Sequence, residues 1–423
     1  MDGTFVSCGC CDDAPAKTRA SLMSVADAVA LALCDIAPVA GRALRSLGDA
    51  LGRVTVDRID APGPLPRFDS AAMDGVALRT ADLAQASDLP LAGTIAAGDG
   101  PSDLPAGRAM QIFTGAPVPH GADAVVMIER CRISDDHVHI DHPPAPGDNI
   151  RPMGSDQAPG QSLIEAGTRL TPHHIGLLAA NGVTEVALRR KPRIAVFSTG
   201  DELTEGACAG GQINDANRPM LLALIRAAGA EAVDAGVIPD DLAASAEALA
   251  RVAPNVDLIV TSGAVSMGGK DHLRAALDAA GGAVRGWRVA IKPGKPVLFG
   301  RIGEAAYTGL PGNPFAVHVG FHLFVAPQIA RLSGTAPRAF ATVPARAGFD
   351  WTRKASRAEV FPVRLLRYDE TGLPVLERLG RSVSGTLLPL SGADGLAMVP
   401  AETCDLRSGD ALRWQPFSQG DIQ

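Results

Sequence analysis

Residues 305–320 read Ala-Ala-Tyr-Thr-Gly-Leu-Pro-Gly-Asn-Pro-Phe-Ala-Val-His-Val-Gly, and this stretch decides the fold class. An apolar, strand-like run leads into a rigid turn of glycine and proline, and a helical pattern follows the turn. Pro311 and Pro314 restrict the backbone φ angle, whereas Gly309 and Gly312 let a ligand approach the backbone. Because a helix N-terminus also presents unpaired N–H groups, this junction predicts an anion site in an α/β protein.

Three earlier segments have the same strand-to-loop character. They are residues 193–203, 257–271 and 287–296, and each passes from β-branched residues into glycine. Helical patterns lie between them, from Arg218 to Ala228 and from Asp271 to Ala280. This alternation of strands and helices predicts a parallel sheet, with ligands bound outside the carboxyl ends of its strands.

Length and composition restrict the class of protein. A chain of 423 residues predicts about two to four domains, at roughly 100–200 residues per domain. Hydrophobic residues make up 46% and aromatic residues 4%, so the core is expected to consist of small aliphatic side chains. The net charge of −7 disfavours a nucleic-acid binder. We expect a cytoplasmic protein without a membrane partner, since no apolar run reaches about 20 residues and the N-terminus lacks signal-peptide features.

The chain has seven cysteines, which is an odd number. Four of them are scattered, as is typical of reduced thiols: Cys34, Cys131, Cys208 and Cys404. The other three cluster near the N-terminus, where a soft metal is one interpretation and a disordered leader over residues 1–20 is the other: Cys8, Cys10 and Cys11. The sequence does not decide their purpose.

The pattern of elements changes several times along the chain. Ser24 is expected to open an amphipathic helix that runs to about Leu33, and a second helix is predicted from Arg42 to Leu51. Short strands broken by glycine then indicate a β-rich domain, and alternating runs near the C-terminus favour a small β-barrel or sandwich. The predicted domains are a framing or dimerisation domain (21–66 and 145–188), a β-rich domain (67–144), an α/β domain (189–332) and a C-terminal β-barrel (333–423).

Acidic residues gather in the glycine-rich loops, where structure alone would favour small neutral side chains. They are Asp74, Asp156, Asp201, Glu202, Asp240 and Asp271. Carboxylates in such loops commonly bridge a divalent cation such as Mg²⁺ to substrate phosphates. The alternative is that individual aspartates cap helices or turns.

Basic and hydroxyl side chains add candidate anion ligands. Lys292 and Lys295 flank Pro293 and Gly294 at a predicted strand end, and Arg288 is expected on the same face of an extended run. These cations suit a phosphate or an oxoanion, although solvated lysines around a turn are the alternative. In residues 112–119, the Thr114 hydroxyl and nearby backbone N–H groups present a further anion site.

Other catalytic patterns are missing or weak. His318 and His322 are one helical turn apart, but no glutamate follows His318, so they are interpreted as core or interface histidines. Neither a Gly-x-Ser-x-Gly elbow nor a P-loop occurs in the chain. Any phosphate-like anion would therefore be held by the glycine loops.

Eight motifs follow one another in a characteristic order. They occupy residues 68–75, 112–119, 121–129, 149–156, 198–203, 261–268, 292–296 and 309–314. With these motifs the chain resembles the molybdopterin molybdenumtransferase family, MoeA, over about residues 21 to 415.

The resemblance implies a fold and an assembly. Members are elongated homodimers with four domains: a central parallel-sheet α/β domain that binds molybdopterin, a β-rich second domain, a framing domain of helices and strands, and a small C-terminal β-barrel. The active cleft would lie between chains, so Asp74 and Thr114 would act on the partner's site.

The resemblance also implies a reaction. Molybdenum from molybdate would enter adenylylated molybdopterin with release of AMP, supported by Mg²⁺ at Glu202 and Asp271. Arg288, Lys292 and Lys295 would offset the charge of the anionic substrates. A molybdopterin adenylyltransferase and molybdenum apoenzymes would be the protein partners, and the preference between molybdate and tungstate is left open.

The site residues follow from their positions in the family motifs. Four carboxylates would shape the metal and nucleotide site: Asp156, Glu202, Asp240 and Asp271. The molybdopterin-binding set would be Thr199, Gly200, Ser262, Gly263, Ser266, Gly268, Pro293, Gly294, Pro311, Gly312, Asn313 and Pro314.

Four positions depart from the family pattern. Val76 replaces a common tyrosine and Ala264 replaces a glycine, while Ser155 and Gly269 replace acidic residues. Loss of two carboxylates is expected to weaken metal binding. Two other functions stay open: an adenylyltransferase-like nucleotide enzyme of the same α/β fold, and a non-catalytic dimeric scaffold or cofactor carrier.

Overall fold

A computed structural model of the chain describes residues 22–263, 272–380 and 384–417. They form two compact units. The large unit contains the described residues within Met1–Ala43, Gly52–Val54 and Leu188–Gln423, and the small unit contains Leu44–Leu51 and Thr55–Ala187. The predicted leader with its three cysteines lies outside the described residues, and the four domain boundaries stay a prediction.

The helices and strands are numbered in chain order. The α-helices are α1 Val25–Leu33, α2 Pro172–Ala180, α3 Asn217–Ala227, α4 Leu242–Val252, α5 His272–Ala279, α6 Pro314–Gly320, α7 Ala326–Leu332 and α8 Leu388–Ser391. The strands are β1 Arg42–Ser46, β2 Ile59–Asp60, β3 Ser70–Ala71, β4 Gly75–Leu78, β5 Asp88–Ile95, β6 Ala109–Ile112, β7 Ala124–Met127, β8 Cys131–Ser134, β9 His137–Ile140, β10 Ile150–Arg151, β11 Ser162–Ile164, β12 Glu185–Arg189, β13 Arg193–Thr199, β14 Leu203–Thr204, β15 Ile213–Asn214, β16 Glu231–Ile238, β17 Leu258–Ser262, β18 Gly282–Trp287, β19 Ile291–Lys292, β20 Leu298–Ile302, β21 Ala305–Leu310, β22 Val343–Ala347, β23 Trp351–Thr352, β24 Ala358–Tyr368, β25 Pro374–Arg378, β26 Gly395–Val399, β27 Asp405–Leu406 and β28 Ala411–Pro416.

The large unit is built on a six-stranded mixed sheet in the order β16-β13-β17-β21-β20-β18. The first four strands are parallel, as predicted, and β20 and β18 extend one edge of the sheet through two antiparallel pairings. The interpretation of residues 287–296 as one further strand-to-loop junction of this sheet is wrong. The antiparallel strand β18 ends at Trp287, and the short strand β19 pairs with β24 instead.

Alternating side chains of the parallel strands pack on opposite faces of the sheet. Ile194 and Val196 belong to one core cluster with residues of α1, α3, α6 and α7. Ala195 and Phe197 belong to a second cluster with residues of α4 and α5. All four side chains are at most 1% exposed, so helices cover β13 on both faces. This double covering leaves the strand ends as the place where a ligand can reach the sheet.

The helix from Pro314 to Leu332 is long and apolar enough to cross a membrane, but 78% of its most apolar window is buried inside the fold. It packs in the first core cluster and is therefore accounted for as a core helix. Burial lowers the pKa of His318 to about 3, with a smaller contribution from His322, and burial lowers the pKa of His322 to about 4. His318 is therefore a core histidine, in agreement with the interpretation, whereas His322 is partly buried in the same helix.

The C-terminal segment forms a small closed barrel, as predicted. Its strands follow the order β19-β24-β25-β22-β28-β26, and β24 also pairs with β26. Phe361 and Trp414 lie in its core with exposures of 0% and 2%. Strand β19 comes from the middle of the chain, and its residue Lys292 pairs in register with Glu359 of β24.

The small unit contains a six-stranded sheet in the order β7-β4-β6-β5-β9-β8, in agreement with the predicted β-rich character. The helix predicted from Arg42 to Leu51 is wrong, because this segment forms β1 and then a single 3₁₀ turn, Leu47–Asp49. The N–H of Leu47 donates to the carbonyl of Thr184 at 3.0 Å instead of continuing a helix. Gly48 also lowers the helix propensity of the segment.

Gly75 is expected to be essential for the stability of the small unit. A Cβ atom at this position would lie 1.8 Å from the backbone oxygen of Val126, which cannot move without disturbing the β4–β7 ladder. Gly75→Ala should lower the free energy of unfolding by about 3 kcal/mol, measured by urea denaturation. Gly176→Ala is the matched control, since open space surrounds Gly176 in α2 and alanine should raise stability by up to about 1 kcal/mol. Equal midpoints for the two variants would contradict this account.

Candidate functional site

The parallel strands of the large unit end at a common edge of the sheet. The loops that leave this edge carry most of the predicted molybdopterin-binding residues. They begin after Thr199 of β13, Ile238 of β16, Ser262 of β17 and Leu310 of β21.

Direct hydrogen bonds hold three of these loops together. The Thr199 hydroxyl donates to the Ser262 carbonyl at 3.3 Å, and the N–H of Gly263 donates to the Leu310 carbonyl at 3.1 Å. Gly263 has a φ of +101°, and a Cβ there would lie 2.5 Å from the Thr199 carbonyl oxygen. Glycine is therefore required at this position both for the backbone conformation and for the close approach of the loops.

The junction at residues 311–314 forms a turn that leads into α6, as expected. The side-chain amide of Asn217 donates to the Gly312 carbonyl at 2.7 Å and ties the start of α3 to this turn. The N–H of Phe315 donates to the Ser384 carbonyl at 2.9 Å. One N–H in the first turn of α6 is thus already used by the protein, although the sequence predicted this helix end as an anion site.

The acidic loop residues have different local roles. The Asp201 carboxylate accepts the N–H of Asp240 at 3.1 Å, which agrees with the turn-capping alternative for Asp201. Glu202 is exposed, and its side chain lies beside Gly200. Within the described ranges, no group of three or more His, Cys, Asp or Glu side chains converges on a metal site. Several predicted positions lie outside the described residues: Ala264, Ser266, Gly268, Gly269 and Asp271.

Arg218 anchors the loop of residues 205–215, which follows Glu202. Sequence reasoning missed this role. Its guanidinium pairs with Asp215 at 3.1 Å, with Asp234 at 2.6 Å and with Glu205. Burial alone would lower the pKa of Arg218, but hydrogen bonds to the three carboxylates outweigh burial and raise it. Arg218 therefore stays charged and holds both ends of the 205–215 segment against α3.

A cavity of about 480 Å³ brings the lysine loop together with the turn before α6. We call it the lysine-loop cavity, and it is lined by Lys292, Pro293, Gly294, Lys295, Pro296, Pro311, Asn313, Ala316, Arg357 and Ser384. The predicted residues of both loops are therefore neighbours. Arg357 and Ser384 were missed because they are remote in sequence, although the run Arg353-Lys354-Ala-Ser-Arg357 was a detectable basic signal.

Lys292 is 47% exposed, and its ammonium group is paired with a buried carboxylate. Its Nζ lies 2.9 Å from Oε1 of Glu359, whose side chain is 3% exposed. The other carboxylate oxygen of Glu359 lies 3.3 Å from Nε of Arg353, which is 5% exposed. A buried carboxylate thus sets the position of the ammonium group at the edge of the cavity.

Arg288 does not lie in one extended run with Lys292, so the expectation based on such a run is wrong. Arg288 has a φ of +67°, which interrupts the extended run, and its carbonyl accepts the N–H of Met23 at 3.2 Å. Arg288 is not one of the described residues that line the lysine-loop cavity. The positive φ turns the chain between β18 and β19.

Two predicted residues of the small unit interact directly. The Asp74 carboxylate accepts the backbone N–H of Thr114 at 2.7 Å and its hydroxyl at 2.8 Å. These backbone and side-chain hydrogen bonds hold the pKa of Asp74 below its ordinary value. Asp156 is exposed on another loop, where its N–H donates to the Leu65 carbonyl at 2.9 Å.

Large apolar side chains are exposed on the segments that carry Asp74 and Thr114. Phe68 and Met73 on the first segment are 46% and 48% exposed, and Phe113 on the second is 41% exposed. Asp74 is thus accompanied in sequence by exposed apolar side chains.

The fold and the site define a multidomain α/β protein with a mixed sheet, a C-terminal barrel and a cavity lined by cationic side chains. Three family descriptions match: MoeA N-terminal region (domain I and II) over residues 23–182, probable molybdopterin binding domain over 195–331, and MoeA C-terminal region (domain IV) over 344–417. The chain belongs to the molybdopterin molybdenumtransferase (MoeA) family.

Individual relatives agree with this assignment. The molybdopterin molybdenumtransferase of Haemophilus influenzae is 40% identical over 68% of this chain and 72% of the relative. The molybdopterin molybdenumtransferase of a Nostoc species is 34% identical over 85% of each chain. A crystal structure of the molybdopterin biosynthesis MoeA protein from Pyrococcus horikoshii superimposes with a TM-score of 0.80 at 27% identity, covering 94% of this chain and all of that one.

Removal of the Thr114 hydroxyl is expected to raise the pKa of Asp74. Thr114→Val deletes one donor to the carboxylate and keeps the backbone donor, so the pKa should move towards 3.8 without reaching it. A ¹³C NMR titration of the carboxyl groups measures the change. Thr80→Val is the matched control, because its hydroxyl donates to Asp123 at 2.8 Å in the same unit and should leave Asp74 unaffected.

The same substitution has a signed effect on stability. Because the folded-state pKa of Asp74 is lowered, its hydrogen bonds stabilise the fold above the unfolded-state pKa, and this contribution is lost as pH falls through the folded-state pKa. The melting temperature of Thr114→Val should therefore lie below that of the unsubstituted protein at neutral pH and approach it in acid. A difference that grows on acidification would contradict the assignment.

Proposed function

We propose that this protein inserts molybdenum from molybdate into adenylylated molybdopterin and releases AMP, as a step of molybdenum cofactor biosynthesis. The observation that carries the proposal is the lysine-loop cavity, where Lys292, Lys295 and Arg357 surround the space beside the turn before α6. Membership of a family whose relatives are named molybdopterin molybdenumtransferase supports the same reaction.

Cationic side chains are needed because the reactants are all anions. Molybdate, the phosphate of the pterin and the phosphates of the adenylyl linkage repel one another at short range. Lys295 and Arg357 supply positive charge in the cavity, and Ser384 supplies a hydroxyl donor. Arg357 presents a planar fork of N–H donors, which matches a tetrahedral oxoanion better than a single ammonium group does.

Mg²⁺ is proposed as the supporting ion, with Glu202 and Asp271 as its protein ligands. Glu202 is exposed at the carboxyl edge of the sheet, and Mg²⁺ commonly needs only one or two carboxylates together with substrate phosphates. Glu202 is the described carboxylate of this pair, and it can supply one ligand of that limited donor set. When bound, the ion would neutralise phosphate charge during transfer.

A homodimer in the cytoplasm is the proposed working form. In it, the Asp74–Thr114 pair of one chain would complete the site of its partner, and the exposed side chains of Phe68, Met73 and Phe113 would be covered by the second chain. A molybdopterin adenylyltransferase would supply the substrate, and molybdenum apoenzymes would receive the product.

Turnover is the direct test of this function. The purified protein is incubated with adenylylated molybdopterin, Mg²⁺ and micromolar molybdate, and AMP release is measured alongside reconstitution of a molybdenum apoenzyme. We expect molybdate-dependent AMP release that falls at least about tenfold in Lys295→Ala, because one cation beside the anions is removed. Asp271→Ala should also lose activity, and Lys191→Ala is the matched control on an exposed lysine outside the cavity.

Two outcomes would contradict the proposal. Binding of the adenylylated pterin without AMP release would favour a carrier or scaffold. AMP release that ignores molybdate would favour a nucleotide enzyme of the adenylyltransferase type.

Complementation tests whether the Asp74–Thr114 pair acts on the partner chain. Asp74→Ala and Lys295→Ala are each expected to be inactive alone. After the two variants exchange subunits, the mixed dimer contains one intact site and should regain part of the activity. Recovery of no activity, with mixed dimers demonstrated by two affinity tags, would show that both residues serve the same chain's site.

A further inference from the structure

Two histidines are direct neighbours on the helical segment that follows the turn of residues 311–314. His318 belongs to α6, and His322 belongs to a π-helical turn, Phe321–Val325, which joins α6 to α7. The centroids of the two imidazole rings are 4.6 Å apart, and the ring planes are tilted by 55°. We call these two residues the histidine pair.

Each member of the histidine pair has a buried ring nitrogen without a hydrogen-bond partner among the described residues. The two atoms are Nδ1 of His318 and Nε2 of His322. A buried polar atom that has lost its water and found no partner destabilises a fold, so such atoms are rare in native proteins. Two of them in adjacent rings indicate a ligand that the described part of the chain does not itself supply.

The surroundings of the pair are aromatic. The Phe417 ring centroid lies 5.4 Å from that of His318 and 5.7 Å from that of His322, on which it stacks. The Phe321 ring meets His322 edge-on at 5.4 Å. These rings offer no hydrogen-bond acceptor in the plane of the imidazoles. Burial among them favours neutral imidazole, which is the form that binds a metal ion.

Phe417 covers the pair from the surface side. It follows the last strand, β28, and its ring is 40% exposed. Its backbone N–H donates to the carbonyl of Asp394 at 2.9 Å. Because this hydrogen bond involves only the backbone, the side chain can rotate into solvent while the strand end stays in place.

We propose that His318 and His322 together bind one divalent transition-metal ion, such as Zn²⁺, with the Phe417 ring as a movable cover. Bonds from Zn²⁺ to imidazole nitrogen are about 2.0–2.1 Å long, so two nitrogens of a tetrahedral site lie about 3.3 Å apart. Rings whose centroids are 4.6 Å apart can reach this separation by rotating in place. Water would complete the coordination. Imidazole ligands suit Zn²⁺, Ni²⁺ or Cu²⁺, whereas Mg²⁺ prefers oxygen.

This metal site is independent of the proposed transferase reaction. Neither histidine is one of the described residues that line the lysine-loop cavity. A bound ion would link α6 to the turn that leads into α7, so its main effect is expected on the stability of the large unit.

Zn²⁺ binding by the full chain tests the proposal. Cys8, Cys10 and Cys11 are replaced by serine in every sample, because thiolates compete for Zn²⁺. Zn²⁺ is titrated into this parent protein by calorimetry at neutral pH, with Mg²⁺ as the control ion. Co²⁺ in place of Zn²⁺ reports the ligand type, since thiolate ligands give an intense charge-transfer band and imidazole ligands do not.

Loss of either histidine should remove most of the affinity. His318→Phe and His322→Phe are each expected to weaken Zn²⁺ binding about tenfold or more, because one of two protein ligands is lost. His173→Phe is the matched control, since His173 is exposed in the first turn of α2. Equal Zn²⁺ binding in the parent and in both variants of the pair would overturn the proposal, whatever their stability.

Stability distinguishes a metal site from a pair of packing residues. In the absence of metal, His322→Phe replaces an unpaired buried imidazole by an apolar ring of similar shape, so the melting temperature should rise. Zn²⁺ should raise the melting temperature of the parent and leave that of His322→Phe unchanged. A lower melting temperature in His322→Phe together with an undiminished response to Zn²⁺ would show that the histidines only pack.

Phe417→Ala tests the cover. This variant keeps both imidazoles and removes the ring that has to move, so Zn²⁺ should bind at least as tightly as in the parent. Weaker binding would contradict the role of Phe417. Failure of the transferase proposal has a separate signature: absent AMP release with intact Zn²⁺ binding leaves the metal site standing, and normal AMP release without Zn²⁺ binding leaves only the transferase.

Discussion

One buried carboxylate connects the parts of the large unit that form the candidate site. Glu359 lies on barrel strand β24, yet it pairs with Lys292 of β19, which comes from the middle of the chain, and with Arg353. An ionised carboxylate that is 3% exposed is stable only when such partners compensate its lost hydration. The lysine loop is thereby held beside the barrel, and its first lysine lines the lysine-loop cavity.

The mixed sheet supplies the other half of the site. Helices bury both faces of the parallel strands, and Gly263 allows the loops at the carboxyl edge to approach within hydrogen-bonding distance. Arg218 holds the loop of residues 205–215, and Asn217 holds the turn at Gly312. Charged groups that are fixed before a ligand arrives need little rearrangement during a reaction. This property suits a reaction that brings several anions together.

Much of the fold was predictable because its signals are local. The strand-to-glycine junctions at residues 193–203 and 257–263, the core histidines and the C-terminal barrel all follow from patterns within a few residues. The errors arose where a distant partner decided the conformation. Leu47 bonds to Thr184 instead of starting a helix, and Arg288 adopts a positive φ between β18 and β19.

The sequence by itself determined the family, the α/β class and the residue types predicted to meet anions, because motifs and periodicity are properties of short segments. Tertiary structure alone decided that Arg357 and Ser384 join Lys295 in one cavity, and that Lys292 is paired with Glu359. Residues 292 and 359 become neighbours only when β19 leaves the lysine loop and pairs with the barrel. Such long-range pairing depends on the packing of the whole unit, and no local pattern of charge or hydrophobicity encodes it.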